Sequence, residues 1–296
     1  MNYSLLLALC CSLLVVVVRA TPVAVPRSAD TLRVASYNIR SNFGSDTQNW
    51  EQRLESLKIQ LCTYDFDVFG VQEPYRRQLV EFEQLFGDTY AYFVVEARDS
   101  SKKPAHSNPV YYRKARFELL QSGAFWFSET PDKPGSLSWE ASQPRNCVWV
   151  QLKDRKTGVR FFVFNSHFDH KSPAARKQSA RLLRERIAKI AGSDLVICTG
   201  DFNANQTSEP YRILTEAAQL IDTHGVAKKV VNDDYRTSHG YKRIEPAPGS
   251  SRIDHIFISK ANPPTIRLWQ CCPDYFDGRW ASDHYPVFVD LDFTKQ

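Results

Sequence analysis

The stretch Leu195 to Ala204, LVICTGDFNA, limits what this chain can fold into more than any other. Its apolar run, ended by a turn-prone Thr-Gly-Asp, reads as a buried parallel strand that stops abruptly. Gly200 would let the backbone turn sharply, so that Asp201 and Asn203 project from the strand's C-terminal edge. In open α/β sheets ligands gather at that edge. A carboxylate beside a carboxamide offers hard oxygens and an amide donor, which suits a phosphate, a hard cation or an attacking water. The plain alternative is an Asx-rich turn, so the reading depends on whether other strand ends repeat the pattern.

They do. Leu32 to Ile39 reads as a strand ending near Asn38, and Asp67 to Val71 as a short one closing on Gln72-Glu73-Pro74. Arg160 to Phe164 leads into NSHFDH, with Asn165, His167 and Asp169 at its edge. In Arg252 to Ser259, Asp254 shares a face with Ile256 and Ile258, where a carboxylate costs several kcal/mol unless it is paired. SDHYPVFVDL sets Asp283 and His284 just before a last strand, and these two strands complete the set. Tyr90 to Phe127 and Cys147 to Leu152 add further strands. Helical stripes run over Trp50 to Leu61, from Pro74 through Leu79, Phe82, Leu85 and Phe86, over Ala174 to Ile190, and over Glu209 to Ala218. The charges opposite the third stripe, among them Arg176, Lys177, Arg181 and Arg184, read as a solvated face. The loop Glu129 to Arg145 is long enough to suggest a working role. Thr223 to Ser251 is loose and rich in turn formers.

The ends of the chain and its cysteines set the compartment. Residues 1–20 read as a secretory signal peptide, with the apolar run Leu5 to Val18 and a small-residue site at Val18-Arg19-Ala20. Residues 21–31 read as a flexible leader and 32–296 as one catalytic domain, secreted and extracellular. Seven cysteines fall to five once Cys10 and Cys11 leave with the signal. Cys62 and Cys198 read as core residues, and Cys147 can pair with Cys271 or Cys272. This is no disulfide scaffold. A net charge of +5 permits weak attraction to polyanions without requiring it. Asn205-Gln206-Thr207 is a glycosylation sequon.

Taken together, Asn38, Glu73, His167, Asp201, Asn203, Asp254, Asp283 and His284 are acids, amides and imidazoles at strand ends. No CxxC or HExxH is present, so zinc is not indicated. Acids and amides favour magnesium, with manganese as the other ion that fits. The ordered motifs VASYNIR, VFGVQEP, NSHFDH, GDFNA, RIDHIFIS and SDHYPV resemble those of the endonuclease/exonuclease/phosphatase superfamily, which includes deoxyribonuclease I-like enzymes. The resemblance runs from about Leu32 to Leu291. It implies an α/β fold, a four-layer α/β sandwich of two mixed β-sheets packed face to face with helices outside. It also implies metal-dependent hydrolysis of a phosphate ester by in-line water.

On that resemblance Glu73, Asn38 and Asp283 hold the metal. Asp254 pairs with His284 as a base-and-orienter unit, Asp201 and Asn203 position water and phosphate, and His167 binds the phosphate or protonates the leaving oxygen, with the choice of base and acid between the two histidines left open. Asn165, Trp126 and Arg145 are expected to touch substrate, and His255 to face away. GAFWFSETPD and PRNCVW resemble a less characterised branch of secreted or periplasmic members. The expected partner is a phosphate-ester substrate, nucleic acid first, where Tyr111, Trp126 and Trp139 could stack on bases if exposed, although packing is the favoured reading of all three. A phospholipid, sphingomyelin or inositol phosphate is the alternative, and a non-enzymatic secreted binding protein a minor one. A monomer with no stable protein partner is expected.

Overall fold

The computed structural model describes residues 26–28, 30–42, 48–98, 105–216, 219–261, 263–276 and 278–293. The expected signal peptide and the first part of the leader lie outside the described residues. The end of the leader is tied down, because Arg27 pairs with Asp65 and Asp67.

In chain order the elements are β1 (Leu32–Asn38), α1 (Trp50–Tyr64), β2 (Val68–Gln72), α2 (Arg76–Phe86), β3 (Tyr90–Phe93), β4 (Val110–Arg113), β5 (Phe117–Trp126), β6 (Asn146–Asp154) and β7 (Arg160–His167). There follow α3 (Pro173–Ala191), β8 (Leu195–Asp201), α4 (Glu209–Glu216), β9 (Leu220–Asp222), α5 (Thr223–Val226), β10 (Lys229–Val231), β11 (Asp254–Ser259), β12 (Thr265–Cys271) and β13 (Val287–Asp292). The seven-stranded sheet runs β10-β12-β13-β1-β2-β4-β3, and the six-stranded sheet β5-β6-β7-β8-β11-β9. Each has a central parallel pair, β1 with β2 and β7 with β8, flanked by antiparallel neighbours, and the first sheet has a second parallel pair at its edge, β10 with β12. Both sheets are therefore mixed, as expected.

Period-2 alternation explains the layers. Val34, Val68, Val163, Ile197, Ile256 and Val289 fill the space between the sheets. The opposite faces of the same strands carry Tyr37, Phe69 and Phe288, which pack with Trp50, Leu57 and Phe82 of α1 and α2. On the other sheet Phe162, Phe164, Cys198 and Phe257 meet Leu183 and Ile187 of α3. Asn49 opens α1 with a reciprocal capping box, and Ser172 caps α3 ahead of Pro173.

The glycine logic differs from expectation. Gly200 lies inside β8 rather than at a turn, and a Cβ there would meet the Ser166 carbonyl at 2.5 Å. Gly70 on β2 faces the other sheet, where a Cβ would meet Thr199 Oγ1 at 2.2 Å and Asn165 Oδ1 at 2.4 Å. Both glycines are held by close approach of neighbouring groups.

Other differences are local. β12 was not foreseen, and it completes the first sheet between β10 and β13. α2 starts at Arg76, and Leu85 on it is exposed. Cys147, Cys271 and Cys272 are free buried thiols, so the anticipated disulfide is absent among the described residues. Cys62 is exposed rather than core. Among the described residues no helix is long and apolar enough to cross a membrane.

At the end of the sandwich where β1 and β2 begin, acids and arginines are interleaved. Asp67 accepts from the Arg33 backbone at 2.8 Å and lies 3.0 Å from Arg116 and 3.4 Å from Arg113. Arg116 also holds Asp154 at 3.0 Å, and Arg33 forks onto both oxygens of Asp290 at 2.7 and 2.8 Å. Each buried acid there has a guanidinium against it.

Candidate active site

The opposite end gathers the residues singled out by sequence. Asn38 ends β1, Glu73 follows β2, His167 ends β7, Asp201 ends β8, Asp254 begins β11, and Asp283 and His284 precede β13. The two sheets thus each supply half of one site. Their strand ends meet because the parallel pairs both point their C-terminal edges this way, while the antiparallel β11 and β13 enter from it.

Hydrogen bonds join the halves. Asn38 Nδ2 donates to Glu73 Oε1 and to Asp201 Oδ2, both at 3.0 Å. The same Asp201 oxygen lies 3.4 Å from His167 Nε2 and 3.8 Å from His284 Nε2. His284 Nδ1 is 2.9 Å from Asp254 Oδ2, so the expected carboxylate–imidazole contact is present. Glu73 Oε2 receives the Ser41 amide at 3.2 Å and its hydroxyl at 3.0 Å. Arg40 reaches to 4.0 Å from Glu73 and 3.7 Å from Asp283. Arg53, buried on α1, secures this corner by donating to the carbonyls of Ile39 at 2.7 Å and Ala281 at 3.2 Å.

Three of these residues hold left-handed backbone: Arg40 at φ 58°, Glu73 at 75° and Asn203 at 47°. None is glycine, and each such conformation costs on the order of 1–3 kcal/mol. Asn203 therefore lies beyond the strand, its amide donating to the Phe168 carbonyl at 3.1 Å, with His167 Nε2 3.2 Å from the same nitrogen.

Electrostatics separate the acids. Burial, joined by the Asp254 carboxylate, pushes Asp201 up to about 7 against the pull of His284. Burial also works against Glu73, yet His106, His167, Asn38 and Arg40 together hold it well below the usual range. His284 is buried, which disfavours its charge, but Asp254 and then Asp201 raise it well above 6.5. Burial and then Arg145 drive His167 well below 6.5. Burial raises Asp283, with His284 opposing.

Not every sequence candidate reaches the site. Asn165 is fully buried between the sheets, donating to the Val71 and Pro109 carbonyls and accepting from Gln72 at 2.7 Å. It lies one β-step below His167, where the sheets have already closed, so it cannot touch substrate. Trp126 is buried and donates to the Ala97 carbonyl at 2.7 Å. Tyr111 is buried too, stacked on Phe69, and Trp139 is half-buried against the second outer core. Those aromatics are packing residues. Arg145 is at the site but buried behind His167 rather than facing outward. His255 faces away as expected, bonded to the Ala204 carbonyl at 3.0 Å. Asp169 tightens a turn, receiving the amides of Lys171, Ser172 and Ser142.

Sequence reasoning missed His106 and Ser41. His106 stacks parallel to His167 with ring centres 6.2 Å apart and lies 3.3 Å from Ser41 Oγ. Burial lowers it to about 4. Both sit in loops, where no periodic signal marks them.

Two overlapping groups have ligand atoms close enough to share one ion: Glu73 with His167 and Asp201, and Asp201 with Asp254 and His284. Carboxylate oxygens with imidazole and no thiol fit a hard divalent cation. Asp254 Oδ1 is buried without a hydrogen-bond partner, a further acceptor facing charge.

Comparison with known proteins agrees with this arrangement. An uncharacterized protein of Acanthamoeba polyphaga mimivirus is 37% identical over 275 residues, covering 87% of this chain and 99% of that one. The mannosyl-6-phosphatase of Bacteroides thetaiotaomicron superposes with a TM-score of 0.81 at 33% identity, over 88% of this chain and 99% of that structure. The 3'-5'-exoribonuclease subunit Ccr4 of Saccharomyces cerevisiae is 20% identical over 83% of this chain, which spans only 36% of Ccr4. Residues 35–284 match the Endonuclease/Exonuclease/phosphatase family. With the motifs, the two-sheet fold and this match in agreement, the chain belongs to that family, whose enzymes hydrolyse phosphate esters and typically depend on divalent metal.

Proposed function

We propose that the protein is a secreted, magnesium-dependent phosphoesterase that uses water as nucleophile. The observation that carries this is the convergence of Asn38, His167 and His284 on one oxygen of Asp201, with Glu73 on the far side of Asn38. Glu73 would hold the ion, helped by Asp283 and Asn38. When bound, the ion neutralises charge on the phosphate, worth several kcal/mol. Asp201, held near 7, is matched to take the proton of the attacking water at neutral pH. His284, kept cationic by Asp254, donates from Nε2 to a phosphate oxygen. Asn203 and His167 donate from the other side.

For substrate, the buried state of Trp126 and Tyr111 removes the stacking platform expected for bases. That, with the full-length likeness to a mannosyl-6-phosphatase, favours a small phosphate monoester of a sugar or polyol. A nuclease is the second reading, supported by the likeness to Ccr4. The test is release of phosphate from sugar 6-phosphates beside nicking of plasmid, cleavage of RNA and hydrolysis of sphingomyelin. Each is run with magnesium, with chelator, and with Glu73→Gln. Folded, magnesium-loaded protein that hydrolyses none of these, or a Glu73→Gln enzyme as active as wild type, would sink the reading. Secretion is tested by the mass of the exported chain, expected to begin at Thr21.

A further inference from the structure

Arg145 is a buried guanidinium that meets ring nitrogens where a carboxylate partner would be usual. Its Nη1 is 2.8 Å from His167 Nδ1 and its Nη2 is 3.2 Å from His170 Nδ1. A guanidinium has only donors and does not lose its proton in proteins, so both imidazole nitrogens must accept. A neutral histidine accepting at Nδ1 carries its proton on Nε2. His167 Nε2 lies 3.4 Å from Asp201 Oδ2, which can accept that proton, and 3.2 Å from Asn203 Nδ2, which is itself a donor and cannot. The Asn203 amide is oriented by its bond to the Phe168 carbonyl, so the nitrogen, not the oxygen, faces His167. Two N–H donors therefore converge at one place, and a phosphate oxygen is an acceptor that answers both.

We infer that Arg145 is a positioning residue: it locks His167 in the Nε2–H tautomer, so that His167 and Asn203 form a paired donor cradle for a phosphate oxygen. His167 then serves as a neutral hydrogen-bond donor rather than as the acid that protonates the leaving oxygen. The loop carrying Arg145 is braced for the task, since Gln143 reaches His106 at 3.5 Å and Ser142 holds Asp169 at 2.6 Å. The long Glu129 to Arg145 connection thereby acquires a use: it delivers a donor behind the ring.

The inference rests on the proposed phosphoesterase, but its first readout is independent of turnover. Nitrogen-15 NMR of the histidine rings in substrate-free, chelator-treated wild type should show His167 protonated at Nε2 and unprotonated at Nδ1. A proton on Nδ1 overturns the inference whatever the activity, and this holds even where no variant folds. Arg145→Met should mix the two tautomers and lower kcat roughly 10²-fold, the scale of losing one oxyanion donor, with KM little changed. Arg145→Lys, which keeps one donor, should restore the tautomer and most of kcat. An unchanged tautomer and rate in the Met variant also overturns it. Failure of every substrate while His167 keeps Nε2–H would count against the proposed activity alone.

Discussion

Where β1 and β2 begin, Asp67 sits among Arg27, Arg113 and Arg116, and Asp290 lies against Arg33. Where the same strands finish, Asp201 meets the Asn38 side-chain amide, the Asn203 backbone amide and two imidazoles, and Asp254 pairs with a histidine. Both sets of acids are buried. The first set has permanent cations, and its arrangement is complete in the folded chain. The second is met mainly by amides and by imidazoles that themselves titrate, and its ligand atoms lie close enough together to share an ion. A buried acid with a guanidinium reads as a staple, whereas a buried acid facing amides and imidazoles reads as a site.

The sharpest way to break this contrast is to neutralise one acid at each end. Glu73→Gln should reduce kcat by roughly 10³-fold with the fold retained, as seen by unchanged circular dichroism. Asp67→Asn should instead destabilise by about 3–5 kcal/mol in urea titrations, because three arginines lose their shared carboxylate. The activity of its folded fraction should stay at the wild-type level. Were the two phenotypes exchanged, the division into staple and site would be wrong.

Metal sharpens the same contrast. Magnesium at 100 times its Kd should stabilise wild type by about 2.7 kcal/mol. The gain should vanish in Glu73→Gln and persist in Asp67→Asn, as read by thermal melts.

The smallest effect is the most diagnostic. Asp201 binds its proton more tightly in the folded protein, at about 7, than the 3.8 of a free carboxyl. Between those values the folded state holds more protons, so this group's contribution to stability declines as pH rises through that window. Without metal, Asp201→Asn should therefore melt higher than wild type by about 1 kcal/mol at pH 8. The advantage should shrink toward pH 5, while the variant is inactive throughout. An Asp201→Asn protein less stable than wild type at pH 8 would place Asp201 among the staples.

Much of this was legible in the chain itself because strands announce their ends. An apolar run followed by Asn38, Glu73 or Asp201 tells where the edge is, and the shared edge follows from the alternation of strands with helices. What alternation cannot give is depth. Asn165 and His167 have the same parity on β7, yet one is sealed between the sheets and the other lines the site. Trp126 differs for a related reason, since a strand-terminal tryptophan reads as exposed, whereas here it is buried with its indole N–H on the Ala97 carbonyl. Arg145 is expected to touch substrate and lies against His167 Nδ1 instead, because a sequence does not show what a guanidinium faces. β12 is seven residues long and lies between Pro263-Pro264 and Cys271-Cys272, so the alternation of TIRLWQC is a short signal beside turn formers. His106 and Ser41 carry no pattern at all.

Gly70 has one more consequence. Glu73 belongs to one hydrogen-bonded sheet and Asp201 to the other, so no ladder of backbone bonds sets the gap between them. That gap is set by how closely the sheets pack, and at Gly70 the place of a Cβ is already filled by Asn165 and Thr199. The protein is in this respect a clamp with a shim: the jaws are the two sheets, and the side chains between them fix how far apart the jaws stand. Altering a residue in the filling re-gauges the catalytic opening without touching anything that contacts a substrate.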